Sequence, residues 1–338
     1  MISIIVPCYN CEDTIDRCVD SIVKQTTSKY EIVLVDDGSV DKTGEICDRY
    51  SREDERIKVV HQKNKGLMAA WKCGVEAAQG DYIVFSDSDD WIEDNLIEKL
   101  GIILARYNVD VITYGITVEF ENKKIFQKNN LLEGLYKKQD IEYKILPRYF
   151  SDGKMESGVI IPSRCCKAVR RQILIDNMKY LDDSFSVGED DLTSFAIFTD
   201  VDSIYNIDNY YPYHYCRHHG SMMGNYSDDT VKKIQTVHQE LVKIAKVRHF
   251  EYETQIDYYF IDNLLVIIKK ILENRECLYL NKKEQLEKIR HIRQMDKFLC
   301  DAKTMTKKYG IREKILLELF RKQHYLAMYI GVKFATVV

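Results

Sequence analysis

Three carboxylates crowd into four positions at Asp87, Asp89 and Asp90, directly after the apolar run Tyr82-Ile83-Val84-Phe85. Like charges at the end of a buried strand repel one another and lose hydration, a cost that a cation or a set of donors must offset. Asp87-Ser88-Asp89 offers the oxygen ligands that Mg²⁺ or Mn²⁺ takes while sharing its shell with substrate phosphates. A second group, Gly188-Glu189-Asp190-Asp191, precedes an apolar segment, Leu192 to Phe198. That places it at a helix N-terminus, where the dipole favours ionised carboxylates, and an ionised carboxylate is a competent general base. Taken alone, either group also suits a solvated turn or a helix cap, the part open to Asp90 before a helix beginning near Asp94.

The elements that position these groups follow from periodicity. Ser3 to Pro7, Tyr30 to Val35, Ile57 to His61 and Tyr82 to Phe85 are short apolar runs, and they predict strands. Between them Ile15, Val19, Ile22 and Val23 recur at helical spacing, and helices are expected at Lys42 to Tyr50 and Leu67 to Ala78. Strands alternating with helices imply βαβ units and a parallel sheet covered on both faces. Ligands bind such sheets beyond the strand carboxyl ends. Here those ends read PCYNCED, DDGS and DSDD, three polar loops converging on one crevice. Val109 to Phe126 reads as strand with a turn at Asn122-Lys123-Lys124, 138–175 as mostly helical, and 231–338 as helical throughout.

The stretches VPCYN, VDDGS, NKGLMAAWKCGVEAAQGDYIVFSDSDD and GEDDLTSF occur in that order and together resemble family 2 glycosyltransferases over about residues 1–225. The resemblance implies a GT-A fold, an α/β architecture with a Rossmann-like, mostly parallel sheet flanked by helices, followed here by a C-terminal helical region. It implies a nucleotide-sugar-binding half at 1–108, an acceptor and catalytic half at 109–225, and a basic helical region at 226–338.

By the same resemblance Pro7, Tyr9 and Asn10 lie beside the nucleotide and Asp37 meets the uracil edge, with Asp36 and Glu12 near enough to share that task. Asp87, with Ser88 beside it, is assigned to the ribose or to assisting the metal, and Asp89 to direct ligation of Mn²⁺ or Mg²⁺. Asp190 is the implied base of an inverting transfer, with Glu189 and Asp191 chemically competent alternatives and Glu189 the better placed to position the acceptor. In YYPYHYCRHHGSMM, His218 is placed to complete the metal shell and Arg217 to contact phosphate bidentately, with His214 and His219 also open. Where the family commonly shows Arg-Asn after NKGLMAA, this chain has Trp71-Lys72, so either Lys72 or Lys65 meets the donor phosphates or the donor sits differently.

The net charge of −4 divides unevenly, with +9 in residues 231–338 and −13 in residues 1–230. The basic tail, including ILLELFRKQHYLAMYIGVKFATVV, suits a solvated helix face, an oligomer interface or contact with an anionic membrane. It carries no nucleic-acid-binding motif, and the acidic first part would repel phosphate backbones. No apolar run reaches the length of a membrane span, the first residues lack a signal peptide's basic region and cleavage site, and the ten cysteines are scattered among apolar neighbours. Cys8 and Cys11 form a lone C-x-x-C read as structural thiols. The expectation is a cytoplasmic enzyme, at the inner face of the plasma membrane if the tail binds lipid. It would move a sugar from a UDP-sugar to a carbohydrate or lipid-linked glycan in surface polysaccharide or glycolipid assembly. The competing reading is a non-catalytic nucleotide-sugar-binding subunit or sensor, for which a base would be superfluous.

Overall fold

A computed structural model describes residues 1–151, 158–217, 229–273, 282–295 and 311–328. The chain divides into two compact units, one comprising Met1–Leu146, Val159–His219 and Lys243–Phe250, the other Pro147–Gly158, Gly220–Val242 and Glu251–Val338.

The first unit is built on a mixed eight-stranded sheet. Its centre is β1 (Ile2–Cys8), whose seven residues are all buried, flanked by β2 (Tyr30–Asp36) and β4 (Tyr82–Phe85), with β3 (Ile57–His61) outside β2. These four strands pair in parallel, so the loops after β1, β2 and β4 leave from the same end. Continuous Ile, Val and Leu runs suit strands covered on both faces.

The covering helices are α1 (Ile15–Val23), α2 (Thr43–Glu53), α3 (Leu67–Ala77) and α4 (Leu96–Tyr107). Helix α3 approaches β1 closely enough that a Cβ on Gly74 would collide with the Ile5 side chain, so only glycine fits.

Beyond β4 the sheet continues through four more strands, of which only the one at Val111–Thr113 falls in a stretch, Val109 to Phe126, that reads as strand in the sequence. β10 (Lys167–Arg170) pairs antiparallel with β4 and with β6 (Val111–Thr113). β11 (Ser203–Asn206) runs parallel to β6, and β9 (Gly134–Lys137) closes the edge. A smaller sheet has the order β5 (Trp91–Ile92), β12 (Tyr213–Cys216), β7 (Ile116–Phe120), β8 (Lys123–Gln127). The β7–β8 turn falls at Glu121-Asn122, one residue earlier than expected.

The helical expectation for 138–175 holds only at its two ends. A single turn α5 (Lys138–Asp140), a π-turn (Ile141–Ile145) and a 3₁₀ turn (Leu146–Arg148) form at one end, and α6 (Arg171–Asn177) at the other. Among the described residues between them lie a second 3₁₀ turn (Arg164–Cys166) and β10. Ile141 and Ile145 are buried at helical spacing, which mimics a longer helix.

Helix α7 (Glu189–Phe198) completes the first unit's site, and Gly188 before it takes φ +72°, a left-handed conformation glycine adopts without steric cost. Helices α8 (Thr230–Val247), α9 (Thr254–Glu273), α10 (Lys282–Met295) and α11 (Ile311–Arg321) follow. Within the second unit α9 buries Ile256, Phe260, Ile261, Leu264, Leu265 and Ile268. The side chain of Gln285 on α10 donates to Ile271 O at 2.7 Å, His238 pairs with Asp257 at 3.0 Å, and Gln255 accepts from Phe150 N at 3.0 Å.

Candidate active site

The loop after β1 and the loop after β2 are stitched together before any ligand arrives. Asn10, at φ +47°, accepts from Val40 N at 2.9 Å and donates its own N–H to Ser39 Oγ at 3.1 Å. Glu12 accepts from Lys42 N at 2.9 Å, and its own N–H donates to Asp41 at 3.1 Å. Tyr9 stands half exposed at this rim, while Pro7 lies in the buried strand.

Asp37 is buried and aims its carboxylate into the β3–α3 connection. It accepts from Gln62 Nε2 at 2.6 Å, Lys65 N at 3.0 Å and Gly66 N at 2.8 Å. Asp36 turns instead to His61 Nδ1, 2.8 Å away, and to Ser39 N, 3.0 Å. Burial pushes the Asp36 carboxyl up, but its bonds to Ser39 and His61 outweigh burial and hold it below its usual range.

After β4 the four residues from Asp87 to Asp90 part company. Asp90 is fully buried and accepts from Cys216 N at 2.8 Å and from the Tyr213 hydroxyl, so it anchors the loop to β12. Burial, reinforced by repulsion from Asp87, pushes its carboxyl up to about 8. This is a different use from the helix-capping role open to it in the sequence. Asp87, Ser88 and Asp89 are partly exposed, and the loop is held further by Tyr213 OH, which accepts from Asp87 N at 3.2 Å, and by Arg17, which donates to Asp89 O.

Helix α7 carries Glu189, Asp190 and Asp191 in its first turn, as the sequence predicts. Facing them is a residue that sequence reasoning missed. Arg164, only 7% exposed, donates through Nη1 to Asp190 Oδ1 at 2.7 Å and lies 3.9 Å from Glu189 Oε1. Its Nη2 is 3.7 Å from Asp87 Oδ1. One guanidinium therefore links the β4 loop to the start of α7. Burial pushes the Asp87 carboxyl up while Arg164 opposes that shift, and burial with repulsion from Asp190 raises Glu189.

Other candidates separate clearly. Lys65 is exposed near the rim, whereas Lys72 donates to Leu181 O and to Asp183 at 2.6 Å. Trp71 is a core residue stacked on Phe85 at 5.2 Å. Arg217 directly follows β12, with its guanidinium 5.5 Å from the Phe120 ring. His214 is buried, with its nitrogens 2.7 Å from Glu119 and 3.0 Å from Glu93 and its ring stacked on Trp91, which marks it as structural. His218 and His219 lie outside the described residues.

Among the described residues no three His, Cys, Asp or Glu side chains form a metal cluster. Asp87 and Asp89 contribute oxygen atoms alone, a donor set that fits a hard cation whose other positions are taken by phosphate and water. Cys8 and Cys11 are both free thiols, the first buried; a hydrogen bond from Cys8 lowers the Cys11 thiol to about 7.

Residues 3–177 match the family model described as glycosyl transferase family 2. Among curated proteins, the glycosyltransferase GlyA of Streptococcus pneumoniae is 37% identical over 160 residues, covering 47% of this chain and 23% of GlyA. The uncharacterized glycosyltransferase EpsJ of Bacillus subtilis is 39% identical over 126 residues, 37% of each chain. The chain thus spans about a quarter of the first relative and just over a third of the second. Among solved structures, residues 1-349 of TarS from Staphylococcus aureus, in complex with UDP-GlcNAc, superpose with a TM-score of 0.69. They cover 98% of this chain and 90% of that one at 20% identity, a likeness of fold.

Proposed function

Because the chain belongs to glycosyl transferase family 2, we propose that it transfers a sugar from a UDP-sugar to a carbohydrate acceptor, with inversion at the anomeric carbon, in the assembly of a surface polysaccharide or glycolipid. The observation that carries this reading is the meeting of Asp87 from the β4 loop and Asp190 from α7 on one buried guanidinium, at 3.7 and 2.7 Å. A donor-side and an acceptor-side carboxylate then face one reaction centre. The TarS neighbour, solved with UDP-GlcNAc, supports a UDP-sugar. A mannosyltransferase from Pyrobaculum calidifontis with a TM-score of 0.51 was solved with GDP-Man and Mn²⁺, which keeps a metal ion in the reading.

In this mechanism Asp37 meets the uracil edge in an orientation its three donors already fix, and Pro7, Tyr9, Asn10 and Glu12 line the nucleotide. Ser88 and Asp87 flank the ribose, while Lys65 and Arg217 approach the diphosphate. Asp89, assisted by Asp87 and by His218, would hold Mn²⁺ or Mg²⁺. Such an ion would supply charge stabilisation to the departing UDP. Asp190 removes the proton of the acceptor hydroxyl as it attacks from the face opposite the diphosphate, and Glu189 orients the acceptor. No covalent sugar–enzyme species is required.

No helix among the described residues is long and apolar enough to cross a membrane. The basic C-terminal region is proposed to rest on an anionic leaflet, placing the site beside a lipid-linked acceptor on the cytoplasmic side.

The test is a panel of UDP- and GDP-sugars, each offered with and without Mn²⁺, followed by release of nucleoside diphosphate. UDP release dependent on Mn²⁺ supports the assignment, and its absence with every donor removes it in favour of a binding subunit.

A further inference from the structure

We propose that Arg164 is the positioning residue of this site: it fixes Asp190 through one carboxylate oxygen, Oδ1, and leaves Oδ2 as the oxygen that takes the acceptor's proton. The inference rests on the reading of Asp190 as the base.

The geometry is asymmetric. Among the described residues every hydrogen bond to the Asp190 side chain lands on Oδ1, from Arg164 Nη1 at 2.7 Å and, at the limit of reach, from Arg164 N at 3.5 Å. Glu189 and Asp87 lie at 3.9 and 3.7 Å from the same guanidinium, close enough for attraction but beyond hydrogen-bond distance. Asp190 is therefore oriented by Arg164, and the other two carboxylates compensate its charge.

Compensation matters during the reaction. When Asp190 takes a proton it becomes neutral, and a buried guanidinium with no other partner would then be strongly disfavoured. Asp87 and Glu189 keep it paired, so proton transfer does not strand a charge. A guanidinium also suits this task better than an ammonium, because its planar fork addresses several carboxylates from one fixed position.

Arg164 is itself held rigidly. It begins the 3₁₀ turn Arg164–Cys166, which Ser163 caps by accepting from Cys165 N at 3.2 Å. The buried ammonium of Lys167 donates to Ile161 O and Ser163 O, both at 2.6 Å, and pins the segment that delivers the arginine. The 3₁₀ turn that leads into β10, next to β4 in the sheet, thus brings the cation to the carboxylate of the loop after β4.

The experiment is a double-mutant cycle in the full chain with Arg164→Gln, Asp190→Asn and the double variant, together with Arg164→Lys. The readouts are turnover of whichever of UDP-glucose, UDP-galactose and UDP-GlcNAc wild type hydrolyses fastest in Mn²⁺, and the Kd for UDP. Arg164→Gln is expected to lower kcat by about 10-fold or more, the scale of misplacing a catalytic group, while UDP Kd and donor KM stay within about 3-fold. Arg164→Lys should recover part of that loss, and the double variant should be no slower than Asp190→Asn alone, because Arg164 acts through Asp190. Wild-type kcat in Arg164→Gln, losses that multiply in the double variant, or a UDP Kd that rises in step with the fall in kcat would each overturn the inference while leaving Asp190 as the base. If Arg164→Gln does not fold, the same cycle run with Arg164→Lys decides by the same criteria. A fully active Asp190→Asn would remove both the base and its positioning.

Discussion

The hydroxyl of Tyr213 donates to the carboxylate of Asp90, and both residues are buried, so β12 of the small sheet grips the loop that presents Asp87 and Asp89. The same strand adds Cys216 N, 2.8 Å from the other Asp90 oxygen. Of the crowded aspartates, one is spent on anchoring and two are left partly exposed.

Tyr213→Phe removes that donor and leaves the buried Asp90 carboxyl short of a partner, a change that costs about 1–3 kcal/mol. Urea unfolding should show the loss, and Mn²⁺-dependent UDP binding should weaken because the loop is no longer fixed. Unchanged stability would mean that the hydroxyl does not hold the loop.

Asp89→Asn withdraws a ligand oxygen's charge from the proposed metal site. UDP affinity in Mn²⁺ should fall by about 10-fold or more, and much less in EDTA, where no ion is lost. Calorimetry with UDP alone distinguishes the two conditions, and equal losses in both would relocate the ion.

His61 lies 2.8 Å from Asp36 and 3.1 Å from Asp48, and these hydrogen bonds raise its pKa. The folded chain then holds the proton more tightly than the unfolded one. The resulting stability is complete below about pH 6.5, the ordinary value, and is lost as pH rises through the raised one. The ring is 47% exposed, so screening keeps the effect under about 1 kcal/mol. His61→Gln should flatten the fall in stability above that pH in urea titrations, and an identical slope in the variant would contradict the pairing.

The parallel half of the fold was legible because β1, β2 and β4 are continuous apolar runs ending in polar loops, and periodicity reads such runs directly. β10 was not. Its sequence KAVR begins with Lys167, a charged residue that is buried only because two carbonyls accept from its ammonium, and it leads into the helical pattern of α6. Arg164 escaped for a related reason: an arginine before two cysteines carries no local signal, and its three carboxylate neighbours lie at least 25 positions away along the chain. The acidic start of α7 was readable, since Gly188 and three carboxylates precede an apolar run. Trp71 and His214 show the converse, polar-capable rings whose core roles appear only once Phe85, Glu93 and Glu119 surround them.

The full chain should sediment with vesicles containing acidic lipid and be released by added salt, which screens exposed charges within about 8 Å at physiological ionic strength. Removal of residues 312–338 should abolish sedimentation while leaving hydrolysis of a UDP-sugar intact. Failure of the full chain to sediment ends the membrane proposal, and a changed solution mass on truncation points to an oligomer interface. A joint loss of stability and all activities points to a structural role for this segment, whose Leu316, Phe320 and Met328 are buried.

The most direct measurement compares wild type, Asp190→Asn and Glu189→Gln for turnover of the preferred UDP-sugar in Mn²⁺, with UDP affinity measured in parallel. Asp190→Asn should lower the chemical rate by roughly 10²-fold or more with UDP affinity nearly unchanged, and Glu189→Gln should retain more activity. Wild-type turnover in Asp190→Asn would contradict the account, and the reverse ranking would move the base to Glu189.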